Sequence, residues 1–345
     1  MATLVQTWLA KDDGMHARGR ISRLAGGRES LVYGTYKPDE STTGVLPGVA
    51  RTDFNSPSVT GTVTLSDAGQ TYENLNFYGD IIVAAPNVTF RNCWFWGGVG
   101  HPSGNRGCIS VFGIGNHDGL EFYDCTITAR SPSYYRDGIA GNSYKLFRCH
   151  IYNVNDGVGA FSAPGGPGNC DVEVYGCYIH DLIWWRQDPA HNDGTHNDCI
   201  QYQGGSTFKS IGNWLDCYVI TAENSTEINT RTAPNGKCYG GSSLILNQAT
   251  HITSDIVIEN NWFTGAYSQL QLNRGSTFDP LAVTLGTNRY GRDIYENYAP
   301  NSDKRWICLV PSGGTISATN LYTHQIWDDT ETLLTAGRAS GIRTV

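Results

Sequence analysis

Leu120-Glu121-Phe122-Tyr123-Asp124-Cys125-Thr126-Ile127 decides the fold. Leu120 and Phe122 are two apart, as side chains on one face of an extended strand are. The run then ends in a polar residue, a cysteine, a variable residue and an apolar one. The same phrase returns as Asn92-Cys93-Trp94-Phe95, Arg148-Cys149-His150-Ile151, Gly176-Cys177-Tyr178-Ile179 and Asp216-Cys217-Tyr218-Val219. A further copy, Asn260-Asn261-Trp262-Phe263, has asparagine in the cysteine slot. Apolar pairs at strand spacing precede most copies: Val88 and Phe90, Tyr144 and Leu146, Val172 and Val174, Ile256 and Ile258. A strand that stops in one way at uneven intervals is one supersecondary unit reused with insertions. The chain reads as a solenoid, and its function belongs on the outer surface.

A second column of strand-like segments runs beside the first: Cys108–Val111, Gly138–Gly141, Gly157–Ala160, Cys199–Tyr202, Ser243–Leu246 and Gln269–Leu272. With Ile109, Ile139, Val158, Ile200, Leu244 and Leu270 inward, the residues three further on face outward. These are Phe112, Asn142, Phe161, Gln203, Asn247 and Asn273. The residues one further on are mostly small, with Gln201 and Gln271 among them. A flat face carrying amides suits a sugar chain. Any exposed β-face is polar, so a purely structural reading stands beside it.

Composition narrows the class. In 345 residues there are 41 Gly, 19 Tyr and 9 Trp, only 16% are charged, and no 3.6-residue pattern is sustained, which marks an all-β chain. The formal charge is −8, with no Lys/Arg run. That argues against nucleic acid and against anionic membrane surfaces, both of which call for basic stripes. No stretch approaches the roughly 18 apolar residues of a spanning helix. The start, Met1 to Trp8, lacks the basic and apolar regions of a secretion signal, so synthesis and folding in the cytoplasm are expected. The ten cysteines then read as small buried hydrophobes, with a disulfide framework as the alternative.

Three regions follow. Residues 1–57 form a non-repeating attachment or capping segment and linker, with Ser30–Tyr36 strand-like. Residues 58–300 form the solenoid, and residues 301–345 supply a last coil and a C-terminal cap, because an open solenoid end exposes core and strand edges.

Stacked strands with these polar–Cys/Asn–x–apolar ends resemble the right-handed, single-stranded parallel β-helix of the pectate-lyase-like superfamily. Asp-Gly phrases opening the second column at Asp137 and Asp156, and the closing Asn320-to-Thr330 stretch, sharpen the likeness. With no secretion signal and a non-repeating N-terminal segment, the chain is similar to bacteriophage tailspikes and minor tail proteins. That resemblance implies a virion component that recognises a host cell-surface polysaccharide. It also implies attachment to other tail proteins through the N-terminal segment, and a homo-oligomer, commonly a trimer. The alternatives are an active polysaccharide depolymerase, a hydrolase ahead of a lyase, and a purely structural tail component.

Candidate chemistry gathers between Asp188 and Asp198, in the insertion between Cys177 and Cys217. Asp137, Asp156 and Asp198 fall in one stacked column, where like charges should raise at least one pKa, as a glycosidase acid requires. His196 or Asp193 could assist as base or orienting group. Trp184 and Trp185, on a projecting loop, would stack on sugar rings. Gln201, Gln203, Asn247, Gln271, Asn273 and Arg274 would line the glycan face, with Arg274 the only obvious lyase base. Equally, Asp-Gly is common turn chemistry, and the tryptophans could pack against the solenoid. His191, His196, Asp193 and Asp198 match no strong metal spacing, so no metal or cofactor is assigned, with a divalent cation left open.

Overall fold

Asn92, Asp124, Arg148, Gly176, Gly212 and Asn260 all adopt positive φ, between 52° and 68°. The repeated phrase is therefore a corner rather than a strand end. A strand arrives, one left-handed residue turns the chain, the next side chain enters the core, and a new strand leaves. Asn, Asp and Gly accept this conformation readily. Arg148 does not. It is held by a bidentate ion pair to Asp124 at 2.8 and 2.9 Å, and by the Tyr33 hydroxyl at 2.8 Å.

The computed structural model describes residues 32–345 apart from 112–118, 162–167, 276, 296–304 and 337–340. Tyr33–Val345 form one unit. Most of the expected N-terminal segment, and Phe112, lie outside the described residues. Within them there is no helix.

The strands make three sheets, and almost all pairing is parallel. Sheet one stacks the alternating strands, such as Leu120–Tyr123, Tyr144–Phe147 and Asn169–Tyr175. Sheet two stacks those that leave the corner: Thr126–Thr128, His150–Tyr152, Tyr178–Ile179, Trp214–Thr221 and Trp262–Gly265. Sheet three is the second column: Arg136–Gly141, Val158–Ala160, Ile200–Tyr202, Ser242–Asn247 and Ser268–Asn273. The chain visits the three in turn, once per coil, so the fold is a parallel β-solenoid.

Residues at equal positions stack at the strand spacing. Phe77 lies on Phe95 at 4.9 Å and Phe90 on Phe122 at 4.7 Å, filling the first coils with aromatic columns. Ile109, Ile139, Val158, Ile200, Leu244, Leu270 and Ile307 form the aliphatic column of sheet three. All ten cysteines are free thiols, and all but Cys238 are buried.

Two boundaries differ from the sequence reading. Pairing in sheet two already begins at Thr52–Asp53, and Val32–Tyr36 is turn rather than strand. Residues 33–48 instead form a strap along the outside of sheet two. Gly44 donates to Arg148 O, Val45 N to Thr126 Oγ1 and Leu46 N to Asn92 Oδ1. At Gly44 (φ +70°) a Cβ would lie 2.7 Å from His150 Cβ, so glycine is what allows the approach. Lys37 reaches Asp328 at 3.3 Å and lies over the Trp214 ring.

One slot was misread. Cys217 is not the fifth corner residue, because the stack beyond Cys177 continues through Gly212-Asn213-Trp214-Leu215. Cys217 lies four residues further along the same strand.

Candidate functional site

Trp214, Asp216 and Tyr218 alternate along the strand Trp214–Thr221 and so share its outer face, while Leu215 and Cys217 enter the core. Thr264 pairs with Asp216 in the next coil. Beyond it the turn residues Gly291, Arg292 and Asp293 rise at one side, and Asn235 and Lys237 from the 222–237 loop rise at the other. Together they line an open cleft of about 230 Å³. Asp216 accepts the Thr264 hydroxyl at 2.5 Å, and Asp293 accepts the Tyr218 hydroxyl at 2.9 Å. Burial pushes the Asp216 carboxyl up, against the opposing Thr264 bond and the charge of Lys237. Lys237 is anchored on Asp181 at 3.0 Å, and the Arg292 guanidinium lies over Trp327. The cleft thus offers aromatic side chains, two carboxylates and two cations within one groove. Sequence reasoning missed it, although polar and aromatic residues at every second position around a buried cysteine were the available signal.

The Asp137–Asp156–Asp198 column exists, and its carboxylates are engaged. Asp137 Oδ1 accepts Asp156 N at 3.2 Å, Asp156 Oδ1 accepts Asp198 N at 2.9 Å, and Asp198 Oδ1 accepts Ser242 N at 2.5 Å. Each side chain caps the backbone of the following coil, which is the turn-chemistry arrangement. Burial raises Asp137 to about 6 and Asp198 to about 7. It raises Asp156 well above the ordinary range, with the charges of Asp137 and Asp198 adding to it. All three are buried.

His196 and Asp193 lie elsewhere, on the exposed rim. His196 Nε2 meets Asp193 Oδ1 at 2.9 Å, Asp193 Oδ2 meets Arg231 at 3.1 Å, and His191 meets Asp188 Oδ2 at 2.6 Å. Desolvation raises Asp193, but His196 and Arg231 outweigh it and hold the carboxyl low. Asp193 is thus spent on ion pairs, separate from the buried column.

Trp184 and Trp185 require a correction. Both are only 4% exposed, and no loop projects them. Trp184 ends a short strand paired with Val219–Thr221. Trp185 packs on Ile183 and Ala222 and meets Tyr134 and His101 edge-on. The insertion folds back on itself through Thr195 and Asn197, whose amide donates to Asn155 O and Ile183 O. Two large apolar side chains gain more from this burial than from water.

Gln201, Gln203, Asn247, Gln271 and Asn273 are half-buried on the outer face of sheet three, in register across coils. Asn247 donates to Gln203 Oε1 at 3.1 Å. Arg274 does not join them as a free base. It is buried, with its guanidinium donating to Pro311 O at 2.6 Å, Ser312 O at 2.7 Å and Phe278 O.

No family model, curated protein or solved structure matches this chain.

Proposed function

We propose that the chain is a phage tail protein, tailspike-like or a minor tail protein, that recognises a host cell-surface polysaccharide on the side of a right-handed parallel β-helix. The observation that carries the reading is the cleft between Trp214, Asp216, Tyr218, Lys237, Arg292 and Asp293. Aromatic rings, charged groups and hydroxyl partners in one open groove are the chemistry of sugar binding. The in-register amides Gln201, Gln271, Asn247 and Asn273 offer a second polar surface. In this reading the N-terminal segment within residues 1–57 attaches to other tail proteins, residues 301–345 supply the last coil and cap, and the virion form is a homo-oligomer.

The test is direct binding of the purified chain to envelope polysaccharides of candidate hosts. Asp293→Asn and Lys237→Ala should weaken binding at least tenfold, while Gln203→Ala on sheet three changes it less. Retained affinity in both cleft variants with loss in Gln203→Ala moves the site to sheet three. Failure of every host polysaccharide to bind sinks the proposal.

A hydrolase is the second reading, favoured by the position of Asp216. A carboxyl raised by burial in the same cleft as a second carboxylate fits an acid beside its partner. New reducing ends, lost in Asp216→Asn while binding persists, would establish it.

A further inference from the structure

His150 opens the strand His150–Tyr152, His180 directly follows the neighbouring strand Tyr178–Ile179 of sheet two, and their Nε2 atoms face each other at 2.6 Å. Glu40, on the strap, brings a carboxylate oxygen to the same point, and the three ligand atoms lie within 4.8 Å of one another. His180 is buried, and its Nδ1 meets Asp181 Oδ2 at 2.9 Å. A carboxylate on Nδ1 fixes the tautomer and leaves the Nε2 lone pair directed at Glu40 and His150. This is the outer-shell arrangement that orients metal-binding histidines. Tyr178 and Tyr152 stack on the imidazoles, holding both rings in plane. Asp181 is in turn held by Lys237.

We propose that Glu40, His150 and His180 bind a zinc-class divalent ion that clips the strap to two successive coils. Two imidazole nitrogens and one carboxylate, with a fourth position open beside the exposed Glu40, form a common three-ligand zinc set. Zn–N bonds of about 2.0–2.1 Å in a tetrahedron place two nitrogens about 3.3 Å apart, so the rings need to separate by less than 1 Å. Oxygen-seeking calcium and magnesium are disfavoured by the two nitrogens. The sequence hides the site, because its ligands come from a strap and two coils, with no short spacing to read. It owes nothing to the glycan reading.

The test uses the full chain, stripped with chelator and titrated calorimetrically with zinc chloride, and in parallel with cobalt(II), whose visible bands report tetrahedral nitrogen–oxygen ligation. The expected result is one ion per chain. Glu40→Gln, at an exposed position that should not disturb folding, should weaken binding at least tenfold. Asp181→Asn should weaken it about 10–100-fold. Zinc should also slow proteolysis within residues 33–48 in the native chain and not in Glu40→Gln. No saturable zinc uptake would leave a hydrogen-bonded histidine pair and overturn the proposal. So would uptake unchanged in Glu40→Gln and abolished in His191→Gln or His196→Gln. Binding without protection of the strap would overturn the clip.

Discussion

The corner slot is filled by cysteine in the early coils and by amides in the late ones, and the two halves solve one problem with different strength. Cys93, Cys125 and Cys149 each direct Sγ at a carbonyl of the preceding coil, at 3.4, 3.7 and 3.6 Å. Asn213, Asn261 and Asn288 direct Nδ2 at the equivalent carbonyls of Val174, Ser210 and Ile258, at 2.9, 2.8 and 3.0 Å. Their Oδ1 atoms also accept the backbone N–H of the previous slot: Cys177 N at 2.8 Å, Asn213 N at 3.0 Å and Asn261 N at 3.1 Å. The ladder ends on Gln325, whose Oε1 accepts from Asn288 and Tyr290. A thiol is a weak donor and a weak acceptor, but it costs little to bury. An amide makes full hydrogen bonds and is costly when any of them is lost. The early half is therefore held mainly by packing, and the late half by a continuous polar ladder.

The largest effect should come from breaking that ladder. Asn213→Ala leaves the buried Cys177 N–H without its side-chain acceptor and removes the amide bonds to Val174 O, Ser210 Oγ and Asn261 Oδ1, for a loss of about 2–4 kcal/mol by chemical denaturation. Cys149→Ala removes one small apolar group and should cost only about 1–2 kcal/mol. Equal costs would mean that the two halves do not differ as described.

The carboxylate column provides a pH-dependent contrast. Asp137 and Asp198 have folded pKa values raised to about 6 and 7, above the unfolded value near 4. The folded state therefore holds protons that the unfolded state releases. The stability tied to these protons is complete below about pH 4 and is lost as pH rises through 6 to 7. Asp198→Asn keeps the acceptor for Ser242 N without the ionisation. It should match the native chain near pH 4 and exceed it in melting temperature at pH 8. A native-chain advantage at pH 8 would show that the carboxylate ionises at little cost.

The smallest effect concerns labelling. A thiol-reactive dye should modify Cys238 promptly, since it is partly exposed, and the nine buried thiols only on unfolding. Rapid labelling of Cys93 or Cys125 would show that the packed half opens on its own.

The period-two apolar pairs and the corner phrase were readable because they repeat a local rule: alternate inward, turn on Asn, Asp or Gly, then bury a small side chain. Cys217 was misplaced because the slot changes from cysteine to asparagine after Cys177, while Asp216-Cys217-Tyr218-Val219 imitates the phrase by chance. Gly212-Asn213-Trp214-Leu215, beside Asn260-Asn261-Trp262-Phe263, carried the true match. The Asp column was placed by its Asp-Gly openings, but its burial depends on the coils around it. Trp184 and Trp185 were misassigned because nothing local tells an insertion that folds back from one that projects. The cleft and the histidine pair could not be read at all, because their members meet only when separate coils and the strap come together.

The strap also sets an order in time. Lys37 and Asp328 are 291 residues apart in the chain and meet across sheet two. At about 5–20 residues per second, a ribosome finishes the strap roughly 15–60 s before it finishes the last surface the strap lies on. The coils can stack as they emerge, whereas the Lys37 end of the strap finds its full place only when Asp328 has been made. A nascent chain therefore carries a waiting arm and an uncovered outer face of sheet two, and the ribosome-bound intermediate is where a chaperone or a neighbouring copy has its chance to bind.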